Sequence, residues 1–214
     1  MKISDCPPPR RRRVPAMAPE ERRAALIAAT VPLLHQHGLD VSTKTIARAA
    51  GVAEGTIFGV FPDKGSLLRE ALLHALDPGP DLDAYAAIDP GADLRHRLSA
   101  AAEVMVRRFA DHAHLLAAAR SMAMAPDTAP DWHARLMENR NRMLTALTGL
   151  IAPDAARLRR SPATVARLLL LLVGGSAHGL FGADERLTGE EMADLLLDGL
   201  AVRPTDDRGG PDPC

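Results

Sequence analysis

Aromatic residues are scarce in this chain of 214: one Trp, one Tyr and four Phe, 3% of the total. Sheets draw on aromatic and β-branched side chains, and no stretch here sustains the period-two alternation of a half-buried strand. Ala, Leu, Met and Arg, all good helix formers, are abundant instead, so the expected fold class is all-α. Cysteine is nearly missing as well. Cys6 and Cys214 lie in Pro-rich ends, which argues against a structural disulfide and for a reducing, cytoplasmic setting. The opening MKISDCPPPRRRR has no apolar segment of the kind a secretory signal needs. The longest apolar run, Leu168 to Gly175, falls well short of the ~20 residues that span a bilayer, so no membrane partner is expected.

Catalytic and metal chemistry find little to stand on. There is no Cys/His cluster and no P-loop, and His35/His37 and His112/His114 are each two apart, which points them to different sides of a helix. Ser176 sits in GGSAHG, but the G-x-S-x-G spacing fails at His178 and no strand precedes it. The chain is therefore read as no enzyme, with no catalytic residue, no metal ligand and no cofactor.

What is present is unevenly placed. Net charge is −1, yet residues 1–70 hold eleven Lys and Arg against seven Asp and Glu, leaving −5 for the remainder. That asymmetry fits an N-terminal part facing an anion, or simply a solvated charged surface. Residues 1–19, Pro- and Arg-rich, read as a disordered basic arm, and 203–214 as a disordered tail. A first helix is expected over 20–37, with Leu26, Thr30, Leu33 and His37 on one face, Pro32 kinking it and Gly38 ending it. Short helices follow at 43–50 and 54–61, then a fourth at 64–76. Residues 77–91, with a DPG triplet at each end, read as a linker or hinge. Beyond it, helices are expected at about 92–112, 114–125, 130–151, 162–181 and 188–201, making a second domain over 92–202.

The stretch TIARAAGVAEGTIFGVFPDK, residues 45–64, carries a pattern. Two short helices joined by a tight turn bury little and impose narrow demands. Ala47 falls where the helices come closest, and Gly51 falls at the turn, where positive φ is easiest without a Cβ. Ile46, Ala50, Val52, Ile57 and Val60 fall on the inward faces. This is the helix-turn-helix pattern, whose second helix enters the DNA major groove.

His37-Gly38, Thr43, Ile46-Ala47, Ala50-Gly51-Val52, Gly55-Thr56-Ile57-Phe58, Phe61, Lys64 and Leu67 together resemble the DNA-binding domain of the TetR (tetracycline-repressor-like) family of bacterial regulators, over about residues 20–76. The resemblance implies an N-terminal helix-turn-helix domain of three helices, then a helical ligand-binding and dimerisation bundle. It implies contacts to double-stranded DNA, typically a palindromic operator, from Thr43, Arg48, Ala53, Gly55, Thr56, Phe58, Gly59 and Lys64, with Phe61 in the core. Two residues depart from the family pattern. Phe58 stands where Tyr is usual, so a phosphate-binding hydroxyl is missing, and Gly59 stands where a larger side chain is common. The arm Arg10–Arg13 could reach a minor groove or phosphates, or be a solvated tail.

The resemblance further implies a homodimer and a small-molecule effector that lowers DNA affinity. Val165, Leu168, Leu169, Leu172 and Val173 are expected at the dimer contact, because one helix so apolar suggests a partner beyond its own small core. Met105, Phe109, Arg120, Met122, Met124, Trp132, Met137, His178 and Phe181 are candidates to line a ligand cavity, with core packing as the alternative for each apolar one. The expected function is a ligand-responsive transcriptional regulator, a repressor by the family's commoner habit. The alternative is a helical small-molecule-binding or scaffolding dimer without specific DNA binding.

Overall fold

The computed structural model describes residues 18–124, 130–177 and 187–200. Ten α-helices occupy them, and no strand occurs among the described residues. The arm with Arg10–Arg13, the C-terminal tail, His178 and Phe181 lie outside this set.

The N-terminal helices start and stop where local chemistry demands. Helix α1 (Pro19–His37) begins with proline in its first turn, where the missing N–H costs nothing, and the carboxylate of Glu21 accepts the Ala18 N–H at 3.1 Å. It ends at Gly38, whose φ of +56° suits glycine, and a 3-10 turn follows over Gly38–Asp40. Pro32 sits inside this helix without ending it. The buried stripe is Leu26, Thr30 and Leu34, not the expected Leu33 and His37: a strict four-residue spacing carries the stripe to Leu34, leaving Leu33 half-buried and His37 exposed. Helices α2 (Thr43–Ala49), α3 (Glu54–Phe58) and α4 (Lys64–Ala75) complete this end of the chain. Ser42 caps α2 by accepting the Thr45 N–H, and Asp63 caps α4 by accepting that of Ser66.

Residues 77–91, read as linker, contain a helix, α5 (Gly79–Ala86). Both DPG triplets are turns, with Asp77 and Asp89 accepting the N–H two residues on, at 3.3 and 2.8 Å. Pro80 falls in the first turn of α5, where it is tolerated, and Leu82 and Tyr85 give the short helix an apolar side that packs into the core beyond it. Helices α6 (Leu94–Asp111), α7 (Ala113–Ala123), α8 (Pro130–Ile151), α9 (Pro162–Ala177) and α10 (Gly189–Leu200) follow.

Two cores result. The first gathers Leu26, Leu34, Ile46, Ile57, Phe61, Leu67 and Leu72 from α1–α4, and also takes Leu115, Ala118 and Ala119 of α7 and Trp132 of α8. The second joins α5, α6, α8, α9 and α10 around Tyr85, Leu98, Met105, Leu147 and Leu169. Arg97, buried within this second unit, donates to the Leu150 carbonyl and pairs with Asp154.

Three of the expected dimer residues belong to this second core. Val165, Leu169 and Val173 are wholly buried within the chain, because their four-residue spacing aims one side of α9 at α8, α6 and α10. Leu168 and Leu172 are half-buried and pack at its edge. Among the described residues of this end, Leu171, 63% accessible, and Leu195, 57%, are exposed. Truncating Leu169 to alanine should therefore cost about 2–5 kcal/mol of stability in urea denaturation. A loss well under 1 kcal/mol would place that side chain outside the core.

Candidate nucleic-acid interface and the adjoining cavity

The turn between α2 and α3 is closed by two backbone bonds: Gly51 N–H to the Arg48 carbonyl at 3.2 Å and Val52 N–H to the Ala47 carbonyl at 3.0 Å. This is a Schellman ending, and it holds Gly51 at φ +68°. Ile46, Ala47, Ile57 and Phe61 are buried beneath it, while Ala50, Val52 and Val60 are half-buried. The outer surface carries Lys44, Arg48, Ala53, Glu54, Gly55, Phe58 and Gly59, all exposed, with Thr43, Thr56 and Lys64 half-exposed. All eight residues expected to face DNA are thus exposed or half-exposed.

Several details depart from the expected picture. Helix α3 ends at Phe58, and Gly59 is its C-cap in right-handed helical conformation, so Gly59 terminates the helix rather than lying in its middle. A Cβ there would meet only the Thr56 carbonyl, at 3.5 Å, an ordinary contact. The Thr43 hydroxyl donates to the Glu54 carboxylate, tying the start of α2 to the start of α3. Lys64 Nζ donates to the Leu39 carbonyl at 2.9 Å, so part of its hydrogen-bonding capacity closes the end of the 3-10 turn. The Ser66 backbone N–H, with the Ser66 side chain, holds the Asp63 carboxyl below the usual aspartate range, which keeps a negative charge beside Lys64.

Sequence reasoning passed over Glu54, an acid beside the expected DNA contacts, and Lys44, whose four-residue spacing to Arg48 could have shown that the two cations share a face. Lys44 and Arg48 have no ion-pair partner among the described residues. Phe58 is 55% exposed, whereas Phe61 is buried with the Arg23 guanidinium 4.6 Å from its ring centre. The two phenylalanines of the motif therefore do different work.

Away from this surface, a cavity of about 390 Å³ opens between α6, α7 and α8 and against α9, a volume in the range of small-molecule sites. Of the candidates, Phe109, Arg120 and Met137 line it, beside Arg108, Leu116, Leu136, Arg140, Met143 and Leu170. The other candidates are elsewhere. Met105 is wholly buried in the second core, Met122 packs at the edge of the first, and Met124 is 80% exposed. Trp132 fills the first core and donates its indole N–H to the Arg69 carbonyl at 3.0 Å. The Ser176 hydroxyl accepts the Leu187 N–H at 3.2 Å, a structural bond. No helix of the described residues is long and apolar enough to cross a membrane.

Comparison with known proteins gives consistent matches. The family described as bacterial regulatory proteins, tetR family, matches residues 26–71. The chain is 30% identical over 203 residues to the HTH-type transcriptional repressor BepR of Brucella suis biovar 1 (strain 1330), covering 91% of this chain and 93% of that protein. Among solved structures, a TetR family transcription regulator from Marinobacter aquaeolei VT8 aligns with a TM-score of 0.54 at 25% identity, over 85% of this chain and 96% of that one. A transcriptional regulator from Rhodococcus sp. Rha1 shares the fold with a TM-score of 0.63 at 24% identity, over 85% and 99%.

The turn geometry yields a direct check. Gly51→Ala should cost about 1–2 kcal/mol, the price of left-handed backbone in a residue with a Cβ, while Gly51→Asn costs less. Gly55→Ala, in open space and in ordinary helical backbone, should be neutral or stabilising. Equal effects at positions 51 and 55 in thermal denaturation would contradict the assigned turn.

Proposed function

The chain belongs to the tetR family of bacterial regulatory proteins and is a transcriptional regulator; we propose that it is a repressor, dimeric on double-stranded DNA, released by a small molecule. The observation that carries this reading is a juxtaposition. An exposed helix-turn-helix surface with two cations, Lys44 and Arg48, that have no ion-pair partner among the described residues stands at one end of α4. A ligand-sized cavity lies at the other end, and Leu76, the C-cap of α4, is part of its lining. A ligand that binds better to one spacing of two such heads shifts the population away from the DNA-competent state. BepR's description as a repressor supports the sign. The cytoplasm, where the DNA is, is the place of action this function requires.

In this reading Thr43, Arg48, Ala53, Gly55, Thr56, Phe58, Gly59 and Lys64 form the DNA-facing set. Phe58, lacking a hydroxyl, offers apolar contact of the kind a thymine methyl accepts. Glu54 works against phosphate approach and limits affinity. The dimer contact falls on the exposed side of α9 and α10, at Leu171 and Leu195 with Leu168 and Leu172 beside them. Its operator is then a two-fold site.

The test of DNA recognition is binding to a palindromic fragment from beside the protein's own gene, measured over a range of salt. Affinity should fall steeply with salt, and Gly59→Arg should tighten binding and steepen the log–log slope by roughly 0.9, one phosphate's worth. Absence of salt-dependent binding would favour the alternative, a helical small-molecule-binding dimer without specific DNA recognition. Leu171→Glu with Leu195→Glu should give a folded monomer in sedimentation at micromolar concentration. A dimer that persists through both substitutions would move the contact elsewhere.

A further inference from the structure

The cavity between α6, α7 and α8 has a lining of one sign. Arg108, Arg120 and Arg140 line it with Asn139, and among the described residues no aspartate or glutamate does. The rest is apolar: Leu76, Phe109, Leu116, Ala119, Ala123, Leu136, Met137, Met143 and Leu170. The three arginines are not equivalent. Arg108 pairs with Asp81 and donates to the Leu76 and Asp77 carbonyls, so its charge is matched from behind the wall. Arg120 and Arg140 are exposed and therefore stand at the mouth. Arg140 has no carboxylate partner among the described residues. Met143 and Ala119 are buried, and Phe109, Leu116 and Leu170 half-buried, forming an apolar interior behind that mouth.

We infer that this cavity takes an amphipathic organic anion, an apolar body lying inward against Phe109, Leu116, Met143 and Leu170 with a carboxylate or sulfate at the mouth between Arg120 and Arg140. Guanidinium groups match such oxyanions with paired, charge-assisted hydrogen bonds. A cationic amphiphile finds no carboxylate among the described lining residues and meets two like charges at the entrance, and Phe109, the aromatic residue of that described lining, is too little aromatic surface to hold it. A neutral amphiphile gains the apolar burial and forgoes the charged contacts. This assignment rests on the effector reading proposed above, whose ligand class it names.

Three probes with one tail and different heads test it: decanoate, decanol and decyltrimethylammonium, titrated calorimetrically into the full chain without DNA. Decanoate should bind at least tenfold tighter than decanol, and the ammonium should not bind measurably. Arg120→Gln and Arg140→Gln, at exposed positions, should together weaken decanoate about tenfold or more and leave decanol within twofold. Decanol or the ammonium binding as tightly as decanoate, decanoate binding indifferent to both arginines, or no binding of any probe would each overturn the assignment. DNA release is scored separately. Arginine-dependent decanoate binding that leaves DNA affinity unchanged supports the ligand class and contradicts release by ligand.

Discussion

The guanidinium of Arg108 holds the two halves of the molecule to each other. It reaches from α6 to the end of α4, donating to the Leu76 carbonyl at 2.6 Å and the Asp77 carbonyl at 3.3 Å, and pairs with Asp81 at the start of α5. A cation placed at a helix C-terminus satisfies carbonyls that have no partner inside the helix and meets the negative end of its dipole. Both Arg108 and Asp81 are largely withdrawn from solvent, so removing either leaves a desolvated charge unpaired, which is costly. Two more arginines reinforce the joint from α8: Arg142 pairs with Asp77, and Arg135 with Glu70. Burial raises the Glu70 carboxyl, but Arg135 and Arg23 outweigh it and hold the group below its usual range.

Apolar packing backs that joint, so the DNA-binding end is not a detachable unit of α1–α4. Its core is finished by Leu115, Ala118 and Ala119 of α7 and by Trp132 of α8. A unit of four helices buries little by itself, and α3 has only five residues. The helix-turn-helix thus takes its rigidity from segments that sequence order assigns to the other domain. The same helices, α7 and α8, also wall the cavity, and Ala119, Leu116 and Leu136 belong to both, so one pair of helices supports the head and lines the cavity.

The fold was legible in the sequence wherever a local rule acts alone. Helix ends at Gly38, Ser42, Gly51 and Asp63 follow from caps and positive-φ glycines, and the motif over residues 43–67 follows from close packing of two short helices. Reading failed where the answer depends on what lies opposite. α9 is apolar enough to suggest a partner chain, yet Val165, Leu169 and Val173 are claimed by three helices of the same chain. Trp132 and Met105 have the composition of a ligand site but fill cores, while Phe109 and Met137 reach a cavity. No periodicity within one helix distinguishes these cases. Composition misled at 77–91 as well, since proline at the start of a helix is as acceptable as proline in a turn. Lys64 is expected at the DNA and Glu54 carries no expectation, yet Leu39 and Thr43 engage them across the fold.

The claim that head and bundle form one cooperative structure through the Arg108 contact can be measured with the protein's single tryptophan. Trp132 lies in the head's core and donates to Arg69 of α4, so its fluorescence reports the contact between the head and α8, while circular dichroism reports all helices. In urea, the wild-type protein should lose both signals in one coincident transition. Arg108→Met should shift the fluorescence transition to lower urea and separate it from the helical one. Coincident transitions at the wild-type midpoint in Arg108→Met would contradict the account.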